Sequence, residues 1–201
     1  MKSIYEFKPA FQNLLRPLCK SFAQKGITAN QITIVSVIFS FIVGGLLYWQ
    51  NNAKWPLFLI PIFLFIRMAF NAIDGILARE HNMKSNLGAI FNELGDVFSD
   101  TALYLPFAFI PGFPSQLIVI IVIFSIISEM TGIVAVQIGA SRRYDGPMGK
   151  SDRAFAFGLI ALLLGCGVPK GVWLTLILAL ILLLSILTIL NRAKGALKEA
   201  S

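Results

Sequence analysis

The sequence predicts an all-α integral membrane protein: six transmembrane helices with an N-terminal amphipathic interfacial helix. Three observations predict it. Of its 201 residues, 57% are hydrophobic and 13% charged, where soluble domains are about a quarter charged, and the mean hydropathy is +0.78. Uncharged apolar stretches recur at lengths near the roughly 20 helical residues that cross a hydrocarbon core. Most of the 17 lysines and arginines fall on alternate connections, as they do when one side of a membrane collects positive charge.

The first element is the amphipathic one. Ile4, Phe7, Phe11, Leu14, Leu15, Leu18 and Phe22 recur at helical spacing, with Lys8, Arg16, Lys20 and Lys25 largely elsewhere. Such a segment suits a helix in the headgroup plane; packing on the protein's own spans accounts for the pattern equally well. Pro9 is tolerated near its start, whereas Pro17 should kink or divide it. Gly26 ends the segment, and Thr28-Ala29-Asn30 supplies the polar start of the first span.

The six spans run approximately Ile32–Trp49, Pro56–Ala78, Leu87–Ile110, Gln116–Gly139, Ala154–Val168 and Gly171–Leu190. Gly112, Pro114, Gly146, Pro147, Gly167, Pro169 and Gly171 punctuate the later turns. The expected organisation is a single membrane domain over 1–201: a cytoplasmic or interfacial helix (1–27), the bundle (28–192) and a cytoplasmic tail (193–201).

Charge orients this bundle. One side receives Lys2, Lys8, Arg16, Lys20, Lys25, Arg79, Lys84, Arg142, Arg143, Lys150, Arg153, Arg192, Lys194 and Lys198, and the other Lys54 and Lys170, with Arg67 left inside the second span. The positive-inside rule then puts both termini and the 79–87 and 141–153 loops in the cytoplasm. The net charge of +7 is explained by topology and anionic lipid headgroups, not by nucleic acid, because no basic and aromatic run or nucleic-acid module accompanies it. Cys19 and Cys166 have no CxxC spacing and no Cys/His cluster surrounds His81, so neither a disulfide framework nor a zinc site is expected. The first 30 residues lack a continuous apolar core, and no cleavable signal peptide is expected.

The chemistry concentrates between Asn71 and Asp100. Ionisable groups within spans are costly and are functional candidates by default. On the second span Arg67, Asn71, Asp74 and Ala78 share one helix face, and on the third Gly88, Asn92, Asp96 and Asp100 do the same. A short loop joining the two spans can bring Asn71 and Asp74 opposite Asn92 and Asp96, an oxygen-only cluster suited to Mg²⁺, Mn²⁺ or Ca²⁺. Gly75, Ala78, Gly88 and Gly95 allow close approach of helices or a ligand, and Arg79 can fork onto a phosphate. Below this cluster, Arg67 lies about 10 Å deeper than Asp74 and Asp100 about 6 Å deeper than Asp96, from the rise per residue. The two are expected to meet as a structural ion pair, with Glu129 of the fourth span as a further partner.

The stretch resembles the CDP-alcohol phosphatidyltransferase family, whose signature is D-x2-D-G-x2-A-R-x8-G-x3-D-x3-D. Here it reads Asn71-x2-Asp74-Gly75-x2-Ala78-Arg79-x8-Gly88-x3-Asn92-x3-Asp96, with every spacing kept. Thr28-Ala29-Asn30-x2-Thr33 and Gly149-Lys150-x2-Arg153 also look like family features, and the likeness extends over the whole chain, nearest to a bacterial inner-membrane branch. It implies a transfer in phospholipid biosynthesis: a CDP-linked lipid, in the first instance CDP-diacylglycerol, binds the metal cluster, an alcohol attacks the lipid-side phosphorus, and CMP leaves. It implies that Asp74 and Asp96 ligate Mg²⁺ or Mn²⁺ with Asn71 and Asn92, and that Asp96 is the general base. Gly75, Ala78, Arg79 and Gly88 would serve the CDP site, while Lys150 and Arg153 would face the acceptor or the lipid phosphates. It also implies dimerisation, with no interface legible in the chain.

Two of the four signature acids are amides here, which keep a carbonyl oxygen but carry no charge. Three arrangements answer this. One ion suffices, or the diphosphate completes a two-ion site; Glu93 or Asp100 replaces the missing charge; or the protein binds its lipid nucleotide without transferring it. Polyprenyl transferases of the UbiA type also use Asp-rich membrane motifs, but Ala72 and Ala78 stand at two of the acids they need. A small transporter should show inverted repeats and broken helices near mid-membrane, and no repeat is evident.

Overall fold

The computed structural model describes residues 7–201, with side chains described from Phe11 onward. Lys2 and Ile4, and the side chains of Phe7 and Lys8, lie outside that description. The described residues are all-helical: α1 (Phe7–Gln24), α2 (Ala29–Trp49), α3 (Trp55–Glu80), α4 (Asn86–Tyr104), α5 (Ser115–Val134), α6 (Lys150–Gly165) and α7 (Val172–Ala200). Four of them (α2, α3, α5 with its 3-10 extension, and α7) are long and apolar enough to cross a membrane. The charged α4 and the shorter α6 carry much of the polar interior.

Local chemistry sets several boundaries. Thr28 caps α2: its Oγ1 accepts from the Gln31 N–H at 3.3 Å, while the Gln31 side chain accepts from the Thr28 N–H at 2.9 Å. Ser85 caps α4 by accepting from the Gly88 N–H at 2.9 Å. The third predicted span continues as a helix to Ile110; instead α4 tightens into a 3-10 turn at Leu105–Phe109, where Pro106 lacks the N–H an α-helix needs. The fourth also ends in a 3-10 turn, Ala135–Ile138, stopped by Gly139 at φ +86°.

Two expectations need correction. Pro17 does not divide the first helix, which runs unbroken from Phe7 to Gln24. One flank of it is held by packing: Leu15, Cys19 and Phe22 lie against Ile73, Ile76 and Leu77 of α3, and Arg16 Nε pairs with Glu80 Oε2 at 2.9 Å. Its other flank, with Leu14 and Leu18, is exposed. The segment after residue 192, expected as a tail, is the helical end of α7 and is packed, with Ala196 buried and Glu199 hydrogen-bonded to Ser141.

The core draws on α2 to α7, and at its centre Tyr104 of α4 stacks on Phe157 of α6 with centroids 4.3 Å apart. Packing pairs α2 with α4, α2 with α3, α3 with α6 and α5 with α7. Glycine governs the first pairing. A Cβ on Gly44 would stand 1.9 Å from the Ala102 carbonyl oxygen, and one on Gly95 would stand 3.1 Å from the Val37 side chain. Such close backbone approach is how helices associate tightly where no hydrophobic force acts between them. Gly44→Ala is therefore expected to cost about 1–3 kcal/mol through overpacking, read as a lower melting temperature in detergent. Gly45→Ala, with open space around it, should leave the melting temperature unchanged or raise it.

Candidate active site

α3 and α4 are joined by a short connection, and the sequence suggests that they lie side by side. They are not packed neighbours: α2 packs along both, and α6 packs on α3. Arg67 links α3 to α4. Its Nη1 donates to Asp100 Oδ1 at 2.5 Å and its Nη2 to the Asp96 carbonyl at 3.1 Å. The candidate site is the region between the motif faces of α3 and α4, termed the cleft, with the Arg67–Asp100 pair as its floor.

Above that floor the two signature carboxylates stand apart from the arginines' main partners. Asp74 is buried on α3, and its Oδ2 accepts from Thr33 Oγ1 of α2 at 2.8 Å. Asp96 is partly exposed on α4; its Oδ1 accepts from Lys150 Nζ at the start of α6 and lies 3.6 Å from Arg67 Nη2. Its Oδ2 takes no hydrogen bond from a described residue. Arg79 is exposed and its guanidinium lies over Gly75, 3.0 Å from where a Cβ would be. Ala78 is half-buried, and Gly88 sits against Asn30, whose Oδ1 would be 2.7 Å from an added Cβ. Asn71 is half-buried and Asn92 exposed. Both amides are within the motif, yet neither is drawn into the ion-pair network.

The far wall corrects the reading of Arg153. Expected to face an acceptor or lipid phosphates, it is 1% exposed and held between two carboxylates. Its Nη2 donates to Asp100 Oδ2 and to Glu129 Oε1, each at 2.9 Å, and its Nη1 to the Met148 carbonyl at 3.1 Å. Opening α6 at Gly149 turns Arg153 inward, where the two buried acids require cations. Glu129, suggested as a partner of Arg67, instead takes Arg153, Arg142 Nη2 at 3.0 Å and Arg192 Nη1 at 3.3 Å. Arg142 also holds both oxygens of Glu93 at 2.7 Å, a fork on a carboxylate.

Glu93 and Asp100 are thus both occupied by arginine, and neither stands free to replace the charge missing at Asn71 and Asn92. Around the cleft the bases are Arg67, Arg142, Lys150, Arg153 and Arg192. The carboxylates are Asp74, Glu93, Asp96, Asp100 and Glu129. These five and five balance, with the exposed Arg79 over Gly75 as one further base.

Sequence reasoning assigned Arg192 to topology and gave Thr33 no contact with the acids. The signal for Arg192 was its place one turn beyond Thr188 on a buried helix face. Its Nη1 also donates to the Ser128 carbonyl at 2.5 Å.

A clamp outside the apolar region positions the loop that brings Arg142. Glu199 near the end of α7 accepts from the Ser141 N–H and hydroxyl, each at 2.9 Å, and from Arg143 Nη1 at 2.6 Å. Arg143 also donates to Asp145 at 2.7 Å. The Arg143 hydrogen bond holds the Asp145 carboxyl below the usual carboxylate range, and the Ser141 backbone and hydroxyl do the same for Glu199.

Among the described residues no three His, Cys, Asp or Glu side chains converge as a ready metal cluster. What the cleft offers is two carboxylates not forked by arginine, with amide oxygens on the same helix faces. That oxygen-only set fits a hard divalent cation. The ammonium of Lys150 beside Asp96 marks where positive charge is already favoured.

Two outcomes follow from this geometry. Asp100→Asn removes the carboxylate shared by Arg67 and Arg153, leaving them only Asp96 and Glu129, and should cost about 3–5 kcal/mol, whereas Arg67→Met leaves Asp100 with Arg153 and should cost clearly less, as measured by unfolding in detergent. The two clamp carboxylates have depressed folded values, so their contribution is full above about pH 4 and is lost as pH falls through those values. Hydrogen-exchange protection of residues 141–149, taken relative to the intrinsic rate at each pH, should fall only in that acid range.

A family model, CDP-alcohol phosphatidyltransferase, matches residues 26–193. The chain is 43% identical over 196 residues to the inner membrane protein YnbA of Escherichia coli (strain K12), covering 97% of this chain and 96% of that one. An archaetidylinositol phosphate synthase of Pyrococcus horikoshii is 29% identical over 98 residues, 49% of this chain and 50% of the relative. In fold, the chain matches the crystal structure of Mycobacterium tuberculosis phosphatidylinositol phosphate synthase with CDP-DAG bound, at TM-score 0.75 and 20% identity, over 90% of this chain and 92% of the other. The same synthase in complex with manganese and citrate gives TM-score 0.75 at 20% identity, over 90% and 88%.

Proposed function

The chain belongs to the CDP-alcohol phosphatidyltransferase family, and from that premise we propose that it transfers a phosphatidyl-type group from a CDP-linked lipid to an alcohol in phospholipid biosynthesis. CDP-diacylglycerol is the donor we favour, by analogy with the CDP-DAG bound to the fold relative. The observation that carries the proposal is the pair Asp74 and Asp96, the two carboxylates of the cleft that arginine does not fork, set beside Gly75 and Arg79. We propose the full arrangement to be one membrane domain of six spans, α2 to α7, with α1 at the interface. It would lie in a bacterial inner membrane with both termini and the cleft cytoplasmic, which the distribution of lysine and arginine supports.

Each residue then has work that its surroundings allow. Arg79, poised over Gly75, would hold a phosphate of the donor. Thr33 fixes the orientation of Asp74. Lys150 and Arg67 engage Asp96 through Oδ1, which leaves Oδ2 as the atom to take the acceptor hydroxyl's proton. The hydroxyl oxygen bonds to the lipid-side phosphorus, the bond from that phosphorus to the CMP oxygen breaks, and CMP departs with the electron pair. Asp74 and Asp96, with the Asn71 and Asn92 amides, would hold a divalent cation, Mg²⁺ or Mn²⁺, a class supported by the manganese complex of the fold relative. Such an ion, when bound, neutralises diphosphate charge and stabilises the leaving nucleotide. With arginine on Glu93 and Asp100, the free negative charge suits one ion.

Purified protein supplied with CDP-diacylglycerol, Mg²⁺ or Mn²⁺ and a panel of alcohols should release CMP. Chelation should stop it, and Asp96→Asn should lower the rate by at least about a hundredfold without changing the melting temperature downward. Manganese titration followed by electron paramagnetic resonance should saturate at one ion per chain. Binding of CDP-diacylglycerol with no CMP release from any alcohol would instead identify a catalytically silent lipid-nucleotide binder.

A further inference from the structure

Resting on the reading of the cleft as a phosphotransferase site, we infer that its acceptor is an alcohol without a phosphate group, because Glu129 fills the arginine cage beside the cleft from within. Three arginines on three different segments converge on that one carboxylate: Arg142 from the loop before α6, Arg153 from α6 and Arg192 from α7. Guanidinium groups converging in this way are the usual means of holding a phosphate. Here both carboxylate oxygens are engaged, and the Glu129 side chain is 8% exposed.

Most of the remaining donors of the cage are also engaged, although Arg192 Nη2 has no partner among the described residues. Arg142 Nε and Nη2 go to Glu93, and Arg142 Nη1 goes to the Arg143 carbonyl at 2.7 Å. Arg153 Nε and Nη2 go to Asp100, and Arg192 Nε goes to the Asp145 carbonyl at 3.2 Å. An incoming phosphate would meet a buried carboxylate in the place where it needs cations. Like charges set together at a binding site disfavour the wrong ligand strongly.

Charge balance leads the same way. Apart from Arg79 at the mouth, the bases and carboxylates around the cleft match, and a diphosphate diester arriving with one divalent cation adds no net charge. A phosphate monoester on the acceptor would bring about two further negative charges at neutral pH. Arg79, the exposed base at the mouth, is committed to the donor. An acceptor with no phosphate leaves the charge of the loaded site unchanged.

The test pairs each alcohol with its own phosphate. Purified full-length protein in lipid nanodiscs, with CDP-diacylglycerol and Mg²⁺, is given glycerol or glycerol 3-phosphate, and inositol or inositol 1-phosphate. CMP release should favour the unphosphorylated member of a pair by at least about tenfold in kcat/KM. Faster release with the phosphorylated member would overturn the inference. A second measurement does not depend on turnover: inorganic phosphate and glycerol 3-phosphate should give the wild type no saturable rise in melting temperature, whereas Glu129→Gln should gain one. Should Glu129→Gln fail to fold, Glu129→Asp, which keeps the charge, should fold and stay unresponsive to phosphate. A saturable phosphate response in the wild type that is lost in Arg192→Lys would overturn the inference even if no alcohol released CMP. Absence of both CMP release and a phosphate response would count against the transferase reading while leaving the filled cage supported.

Discussion

The structure depends on one constraint: a charge within an apolar bundle must be matched by another. Asp100 shows how much follows from it. This one carboxylate on α4 is held by Arg67 of α3 and Arg153 of α6, so three helices converge on a single side chain. Glu129 on α5 repeats the arrangement with α6, α7 and the loop before α6. Removing one member of a buried set is far more costly than the set is stabilising, which makes these acids determinants of geometry more than sources of stability. They set which helices approach, at what depth and in what register.

The cleft is a consequence of where that matching stops. α2 draws close to α4 because Gly44 and Gly95 let the helices approach, and it packs against α3 as well. α3 and α4 are thereby kept from packing along their length and are tied at Arg67. Above that tie Asp74 and Asp96 are not forked by arginine, although Arg142 forks Glu93. Asp74 is oriented by a hydroxyl and Asp96 by an ammonium, interactions that position a carboxylate while leaving oxygen lone pairs available. The same bundle therefore holds structural acids at one level and acids available for chemistry at the next.

Much of this was legible before any coordinates. Helical periodicity placed Asp74 with Arg67 and Asp96 with Asp100 on common faces, and counting rise along antiparallel helices brought Arg67 and Asp100 to one depth. Glycine and proline marked the turns. The rest depended on contacts that one-dimensional spacing does not encode. Arg153 opens a helix in a basic loop, so by position it looks available to a ligand; only the arrival of Asp100 and Glu129 from two other helices turns it inward. Arg192 lies just past an apolar run and reads as a topology signal, although α7 continues as a packed helix. Pro17 looked like a break because its missing N–H is visible in sequence, while the α3 surface that supports the helix is not.

The amides at Asn71 and Asn92 gain a physical meaning from the arginines around them. Counting acids in the motif alone suggests a weakened site with Glu93 and Asp100 nearby as substitutes. Those substitutes are unavailable, since Arg142 forks the first and Arg67 and Arg153 hold the second. Two further carboxylates at the half-buried Asn71 and exposed Asn92 positions would add two negative charges to the cleft, a charge suited to a second cation. The amides leave it without that demand. Amides at two motif positions and arginines on Glu93 and Asp100 therefore act together on the charge of the cleft, and for the single-ion site proposed here they lower the positive charge that has to be brought in.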